Sequence, residues 1–171
     1  MTTDTSSKDL NICVLGIDPG LVHTGVVELY FNFSAILLSI RSQVFLPTEI
    51  PSIPNWRTQP PTGVVFIEAY QPRSHFATDT RMLELIQQLR QLLPDAKVIK
   101  NTAVKKLVPS PLLDMLQLHG FSQVSHHQDL RSAARIALLG MMKDPDLNMR
   151  LSKMFYETLT FDPNWTIQKL P

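Results

Sequence analysis

The chain lacks the features of a secreted or membrane protein. Its 171 residues include one cysteine, Cys13, which can form no disulfide within the chain, and this suits a reducing compartment. Residues 1–10 are polar and lack the apolar core of a signal peptide. No apolar run approaches the ~18 residues that a membrane span requires. We therefore expect a cytoplasmic protein with no membrane partner.

The chain also lacks a strong net charge. Its formal net charge is only +1, so the overall balance does not indicate a nucleic-acid-binding protein. The charge is unevenly distributed, however. Residues 71–110 contain seven basic and three acidic side chains, whereas residues 1–70 contain three basic and six acidic ones. We expect one side of the molecule to be basic while another carries the acids.

Apolar periodicity and breaker residues predict one mixed α/β domain over residues 11–143. Residues 1–10 are predicted to be disordered, and 144–171 to form a helical tail that either packs back on the domain or meets a partner. Five prolines between Leu46 and Gly63 predict an extended surface connection, because proline interrupts helices. The other predicted elements are an antiparallel meander over 11–18, 24–33 and 34–46, strands at 63–68 and 96–100, and helices at 81–93, 112–118 and 129–142.

Three acids follow or open these predicted elements. Apolar runs lead directly into Asp18 and Glu68, and Asp129 opens an alanine-rich helix that can lie close to a sheet. Each has an ordinary alternative: Asp18 as a turn residue, Glu68 as a solvated strand end, and Asp129 as an N-cap. Together they predict clustered carboxylates, which repel one another unless a cation neutralises them. Oxygen ligands favour Mg²⁺ or Mn²⁺, and such a cluster supports two-metal phosphodiester hydrolysis.

Three motifs in this order resemble those of the RuvC-type Holliday-junction resolvases, particularly the compact bacteriophage members. They are GIDPG with the following Thr24-Gly25, then VVFIEAY, then HHQDLRSAARIAL. The resemblance covers about residues 11–142. It implies an RNase H-like α/β fold, in which α-helices flank a five-stranded mixed β-sheet. It also implies a homodimer that binds a four-way DNA junction and nicks two strands symmetrically with two Mg²⁺ ions per site, in a bacterial or phage-infected cell.

The resemblance also assigns the candidate site residues. Asp18 and Glu68 match the acids of the first and fourth strands. The last motif can be read as His126-x-x-Asp129 or as Asp129-x-x-Ser132. We take Asp18, Glu68, Asp129 and His126 as catalytic metal ligands, with Ser132 as the alternative to His126. The residues expected to contact DNA are Lys105, Tyr70 and Phe76, which the resemblance suggests, and Lys106, Arg73, Arg131 and Arg135, which are candidates because they are basic.

Other functions remain open at the level of the sequence. The same motifs fit a nuclease that acts on RNA or on other branched DNA, and a non-catalytic junction-binding protein that has lost one ligand. An actin-like or sugar-kinase-like ATPase also carries an acid and glycines in its first hairpin, but that fold needs two such domains. The candidate dimer surfaces are the helices at 81–93 and 112–118 and the tail face formed by Leu147, Leu151, Met154 and Phe155.

Overall fold

The computed structural model describes most of the chain as a sheet with helices on both faces. Residues 1–10, predicted to be disordered, lie outside the described residues. The described ranges are 11–58, 63–72, 77–118, 127–152 and 162–171.

The sheet contains six strands in the order β5-β4-β1-β2-β3-β6. β1, β2 and β3 form the predicted antiparallel meander. β4 runs parallel to β1, and β5 runs parallel to β4. The carboxyl ends of these three strands therefore lie side by side along one edge of the sheet, across the strand direction. The bounds are β1 (Asn11–Asp18), β2 (Thr24–Asn32), β3 (Leu37–Phe45), β4 (Gly63–Glu68), β5 (Lys97–Ile99) and β6 (Thr166–Lys169).

The helices divide between the two faces of the sheet. One apolar core lies between the sheet and the long helix near the C-terminus, and the other lies under α2 and the proline-rich segment. None of the helices in the described ranges is long and apolar enough to cross a membrane. The bounds are α1 (Ile53–Trp56), α2 (Thr80–Leu92), α3 (Val104–Leu107), α4 (Ser110–Met115), α5 (His127–Lys143) and α6 (Pro145–Leu151), with a 3-10 helix, Pro47–Ser52, before α1.

The prediction of an extended connection in the proline-rich segment was wrong. The segment contains the 3-10 helix and α1, and it buries Ile50 and Ile53 against the sheet. Prolines lie in the first turn of both short helices, where the backbone N–H has no partner within the helix, so its absence in proline costs no hydrogen bond. The end of the segment is anchored by Glu28, a β2 residue only 3% exposed, which accepts hydrogen bonds from the Thr58 amide and hydroxyl at 2.7 Å.

The sixth strand differs from the predicted five-stranded sheet, and it comes from the predicted helical tail. In the described part of that tail, α6 is helical, whereas β6 pairs in parallel with β3 at the sheet edge. Trp165 packs edge-on against Phe33 with ring centroids 5.4 Å apart, and this contact fixes the strand entry. A strand of four residues with largely exposed side chains leaves little periodicity to detect.

The described part of the tail belongs to the same domain. Leu147 and Leu151 are buried in the core beneath α5, together with Trp165. They are therefore not available as the tail interface considered above. Met154 and Phe155, the other members of that face, lie outside the described residues.

Candidate active site

The first two acids are brought together by the strand register. β1 ends at Asp18 and β4 ends at Glu68, and the parallel pairing of Ile17 with Ile67 sets these two ends side by side. The turn after Asp18 is closed by the buried Thr24, whose hydroxyl lies 3.4 Å from both the amide nitrogen and the carbonyl oxygen of Gly20. Both carboxylates therefore lie where two neighbouring parallel strands end, along the same edge of the sheet.

Helix α5 reaches the same edge because two glycines let it approach the sheet. A Cβ atom added to Gly16 would lie 2.8 Å from the Cβ of Ala137 and would collide with the Ala133 carbonyl. A Cβ atom added to Gly25 would collide with the backbone carbonyl of Asp129. The start of α5 is thus pressed onto β1 and β2, and it carries Asp129 toward the end of β1.

Asp18 lies at the centre of the resulting cluster. The pKa of Asp18 is raised to about 8, and burial is the largest cause, followed by the charge and a hydrogen bond of Glu68. The charge of Asp129 contributes to the same rise, whereas a hydrogen bond from the Ser132 hydroxyl opposes it. Among the described residues, the side chains acting on Asp18 are therefore two carboxylates and one hydroxyl.

Glu68 has a second partner on the opposite side. The side-chain amide of Asn101, which follows β5, donates a hydrogen bond to Glu68 Oε1. A cleft of about 210 Å³ opens beside this pair. Its lining residues are Asp18, Pro19, Glu68, Ala69, Tyr70, Gln71, Met82 and Asn101.

The donor set of the cluster suits a hard divalent cation. Asp18 is largely removed from water and faces two negative neighbours, and its high pKa results from burial first and from these charges second. Within the described residues, no three Asp, Glu, His or Cys side chains are arranged to hold an ion as they stand. The close pair is Asp18 with Glu68, and Asp129 acts on Asp18 through its charge. Carboxylate and hydroxyl oxygens are ligands that Mg²⁺ and Mn²⁺ accept.

The predicted basic DNA contacts fall into two groups. Lys105 and Lys106 are exposed on α3, directly after the turn that carries Asn101. Arg135 is instead half-buried, and it donates to the Val108 carbonyl and the Ser110 hydroxyl at 3.3 and 3.2 Å. Burial and the charge of Arg131 lower the pKa of Arg135. These bonds give Arg135 a structural partner, whereas the two lysines are open to solvent.

Arg131 differs from its neighbour on α5. It is half-buried, and its Nε is enclosed without a hydrogen-bond partner within the part of the chain that the structure describes. Its predicted contact with DNA stays a prediction.

The predicted aromatic contacts are only partly described. Tyr70 lines the cleft two residues after Glu68, and its hydroxyl accepts a hydrogen bond of 3.1 Å from the Asp79 amide at the start of α2. Phe76 and Arg73 lie outside the described residues, as does His126. For the last motif, the structure places the Ser132 hydroxyl against Asp18.

Asn101 was not among the site residues predicted from the sequence. A signal was available, because Asn101 lies just past the end of a short strand, β5, that runs parallel to β4. Polar residues that follow neighbouring parallel strands meet at the same sheet edge. The strand itself was predicted at 96–100, but its parallel pairing with β4 was not.

Comparison with known proteins gives matches in structure but not in sequence. No protein-family model matches the chain, and no curated protein matches it. T. thermophilus RuvC in complex with Holliday junction substrate aligns at 14% identity and a TM-score of 0.48, covering 81% of this chain and 96% of that protein. The fowlpox virus resolvase with its substrate Holliday junction DNA aligns at 12% identity and a TM-score of 0.39, covering 82% and 99%.

A further structure of Thermus thermophilus RuvC aligns over 82% of this chain and 96% of that protein, at 15% identity and a TM-score of 0.53. The chain has a RuvC-type fold. The RNase H-like fold that the motifs implied is thereby confirmed, with an additional edge strand. At this level of identity the similarity defines the fold alone, so the chemistry has to follow from the side chains of this protein.

The pKa of Asp18 predicts a pH-dependent stability in the absence of metal. Its folded-state pKa of about 8 exceeds the ordinary value of 3.8, so the folded protein binds a proton here that the unfolded chain has released. Stability therefore falls as pH rises between these two values. Each pKa unit corresponds to ~1.4 kcal/mol, so we expect a loss of a few kcal/mol in EDTA between about pH 5 and about pH 8.5.

Urea unfolding of the wild type and of Asp18→Asn across this range tests the prediction. The variant should lose most of the pH dependence, and Mg²⁺ should stabilise the wild type most at the alkaline end. Equal pH profiles for the two proteins in EDTA would show that Asp18 is not the responsible group.

Proposed function

We propose that this protein is a divalent-metal-dependent endonuclease that resolves four-way DNA junctions by paired nicks. The observation that carries the proposal is the position of Asp18, which lies against Glu68, Ser132 and the charge of Asp129 at the open edge of a RuvC-type sheet. Structural carboxylates are normally paired with cations or solvated, because an unpaired buried charge is costly. A half-buried group of acids beside a cleft is an arrangement expected at a functional site.

In this proposal Asp18, Glu68 and Asp129 hold Mg²⁺, or alternatively Mn²⁺. When bound, the metal supplies a water of lowered pKa and stabilises the leaving oxygen of the phosphodiester. Glu68 accepts a hydrogen bond from Asn101, and the Ser132 hydroxyl favours the ionised form of Asp18, which is the form that would bind a metal. The carboxylate that the family motif would place at Ser132 is thus replaced by a neutral donor to Asp18. His126 remains a proposed further ligand.

The proposed substrate follows from the fold and the distribution of charge. RuvC, whose fold the chain shares, has been solved with Holliday junction substrate.

A junction presents two equivalent strands, so one active site per chain implies a two-fold homodimer. We propose α2 as part of the dimer contact, because its Leu83 side chain is 48% exposed, whereas Leu147 and Leu151 of the tail face are buried in their own domain.

The direct test compares substrates in parallel. Labelled four-way junction, linear duplex and single-stranded RNA are each incubated with the protein in Mg²⁺ and in EDTA. We expect symmetric nicks in the junction alone, and only with Mg²⁺. Cleavage of RNA in preference to the junction would favour an RNA nuclease, and tight junction binding without nicks would favour a non-catalytic junction-binding protein.

Sedimentation of the protein with and without junction tests the dimer separately. We expect a dimer in the presence of junction DNA. A strict monomer at tens of micromolar would remove the physical basis for paired nicking. A simpler branched-DNA nuclease would then be the better description.

The exposed lysines of α3 give a prediction about binding. Replacing Lys105 and Lys106 together by Ala should weaken junction binding and flatten its salt dependence, by roughly one unit of slope per lost phosphate contact. Lys169→Ala on β6, the strand at the side of the sheet opposite β5, serves as the control for loss of a positive charge. A slope unchanged by loss of Lys105 and Lys106 would place the DNA-binding surface elsewhere.

A further inference from the structure

The side-chain amide of Asn101 donates a hydrogen bond to Glu68, and it is a neutral partner beside the acidic neighbour Asp18. Its Nδ2 group hydrogen-bonds Glu68 Oε1, and both residues line the cleft beside Asp18. Glu68 is exposed to repulsion from Asp18, with which it also shares a hydrogen bond. Two adjacent carboxylates can rotate apart unless an outside group fixes one of them.

The backbone around Asn101 is held in place from three directions. The Ile99 carbonyl accepts a hydrogen bond from the Ala69 amide, which joins the end of β5 to the end of β4. The Lys100 carbonyl accepts one from the Lys143 ammonium group at the end of α5. The Asn101 carbonyl accepts one from the Val104 amide. Asn101 is therefore attached to rigid elements rather than to a free loop.

Asn101 also joins the cleft to the exposed lysines. Its carbonyl accepts the Val104 amide at 2.9 Å, at the first residue of α3, and the turn between them passes through Ala103 in a left-handed conformation with φ of 60°. Such a backbone conformation is uncommon for alanine and persists when the surroundings impose it. The side chain of Asn101 thus holds the carboxylate while its backbone supports the helix that carries Lys105.

We propose that Asn101 is a positioning residue that fixes the Glu68 carboxylate for metal binding at the end of β1 and β4. The proposal rests on the proposed function, because it assumes that Glu68 is a metal ligand. Hydrogen-bond partners of ligating carboxylates orient them, and their loss typically costs 10–100-fold in metal affinity or activity. Asn101 is a hydrogen-bond partner of Glu68, and its neutral side chain is not itself one of the proposed carboxylate ligands.

The experiment measures Mn²⁺ affinity by calorimetry on the full chain for the wild type, Asn101→Ala and Asn101→Leu. Leu keeps most of the side-chain volume but cannot donate, so it separates the hydrogen bond from packing. Thr102→Ala, at the exposed neighbouring position in the same turn, is the control. We expect Mn²⁺ affinity to fall by about 10-fold or more in both Asn101 variants and to be unchanged in the control.

Two further readouts separate positioning from a general loss of structure. Junction affinity in EDTA should match the wild type, because the backbone bonds around α3 remain. Cleavage should need more Mg²⁺ for half-maximal rate and should recover at saturating Mg²⁺. Wild-type Mn²⁺ affinity in both variants, or loss of junction affinity in EDTA, would overturn the proposal. A wild-type protein that neither binds Mn²⁺ nor cuts junctions would instead overturn the proposed function.

Discussion

Asp18→Asn is expected to abolish junction cleavage while leaving junction affinity unchanged. The substitution keeps the size of the side chain but removes the carboxyl group at the centre of the acidic cluster, which is the proposed metal ligand. Loss of one group that stabilises transition-state charge commonly costs 10²–10³ in rate, so we expect a loss of about 10³-fold or more when the central metal ligand is removed. Single-turnover cleavage in Mg²⁺ and binding in EDTA measure the two effects separately.

The matched control for this substitution is Asp146→Asn on α6. Asp146 is an exposed aspartate away from the cleft, so its replacement makes the same chemical change without touching the cluster. Cleavage by this variant should equal that of the wild type. Residual cleavage by Asp18→Asn within 10-fold of the wild type would contradict the assignment of Asp18 as a metal ligand.

Gly16→Ala is expected to give the largest loss of stability among single-methyl additions. The new Cβ would overlap the Ala133 carbonyl and lie 2.7 Å from the Ala137 amide nitrogen, and a helix backbone cannot yield as a flexible side chain does. Overpacking usually costs about 1–3 kcal/mol, and we expect the upper end of this range. Urea unfolding in EDTA gives the free energy directly.

The same substitution should also impair cleavage, because α5 carries Asp129 and Ser132, which both act on Asp18. Adding Ala137→Gly removes the third contact, with the Cβ of Ala137 at 2.8 Å, but neither backbone contact, so the double variant should recover little of the stability. If Gly16→Ala unfolds at the wild-type urea concentration, the close packing of α5 on β1 cannot be correct.

The sequence was most informative where each element has a strong local signal. The two apolar strands that end in Asp18 and Glu68 have the predicted bounds, because a continuous buried run with a polar stop admits few alternatives. The long helix near the C-terminus was also predicted, and it extends only slightly at each end. These elements alone place Asp18, Glu68 and Asp129 on neighbouring parts of the fold.

Other features depend on tertiary contacts that a sequence does not display. The proline-rich segment folds into short helices because Ile50 and Ile53 can be buried beneath it and Glu28 anchors its end. β6 pairs with the otherwise open edge of β3, and Trp165, just before β6, packs against Phe33. Neither contact follows from the local residues, since each partner is distant in the chain.

The choice of hydrogen-bond partners within the site has the same origin. Two registers of the last motif fit the letters of the sequence, and only the packing of α5 on Gly16 brings the Ser132 hydroxyl to Asp18. The contact of Asn101 with Glu68 depends on the pairing of β4 with β5. Sequence spacing indicated which acids could meet, but not which neutral groups orient them.

The most direct measurement is the anomalous scattering of Mn²⁺ in crystals of the wild-type protein grown or soaked with that ion. We predict a peak at the cleft, coordinated by carboxylate oxygens of Asp18 and Glu68, which disappears in crystals of Asp18→Asn. Crystals that diffract well, hold Mn²⁺ at other positions and leave this pair without an ion would contradict a metal-dependent nuclease site at the end of β1 and β4.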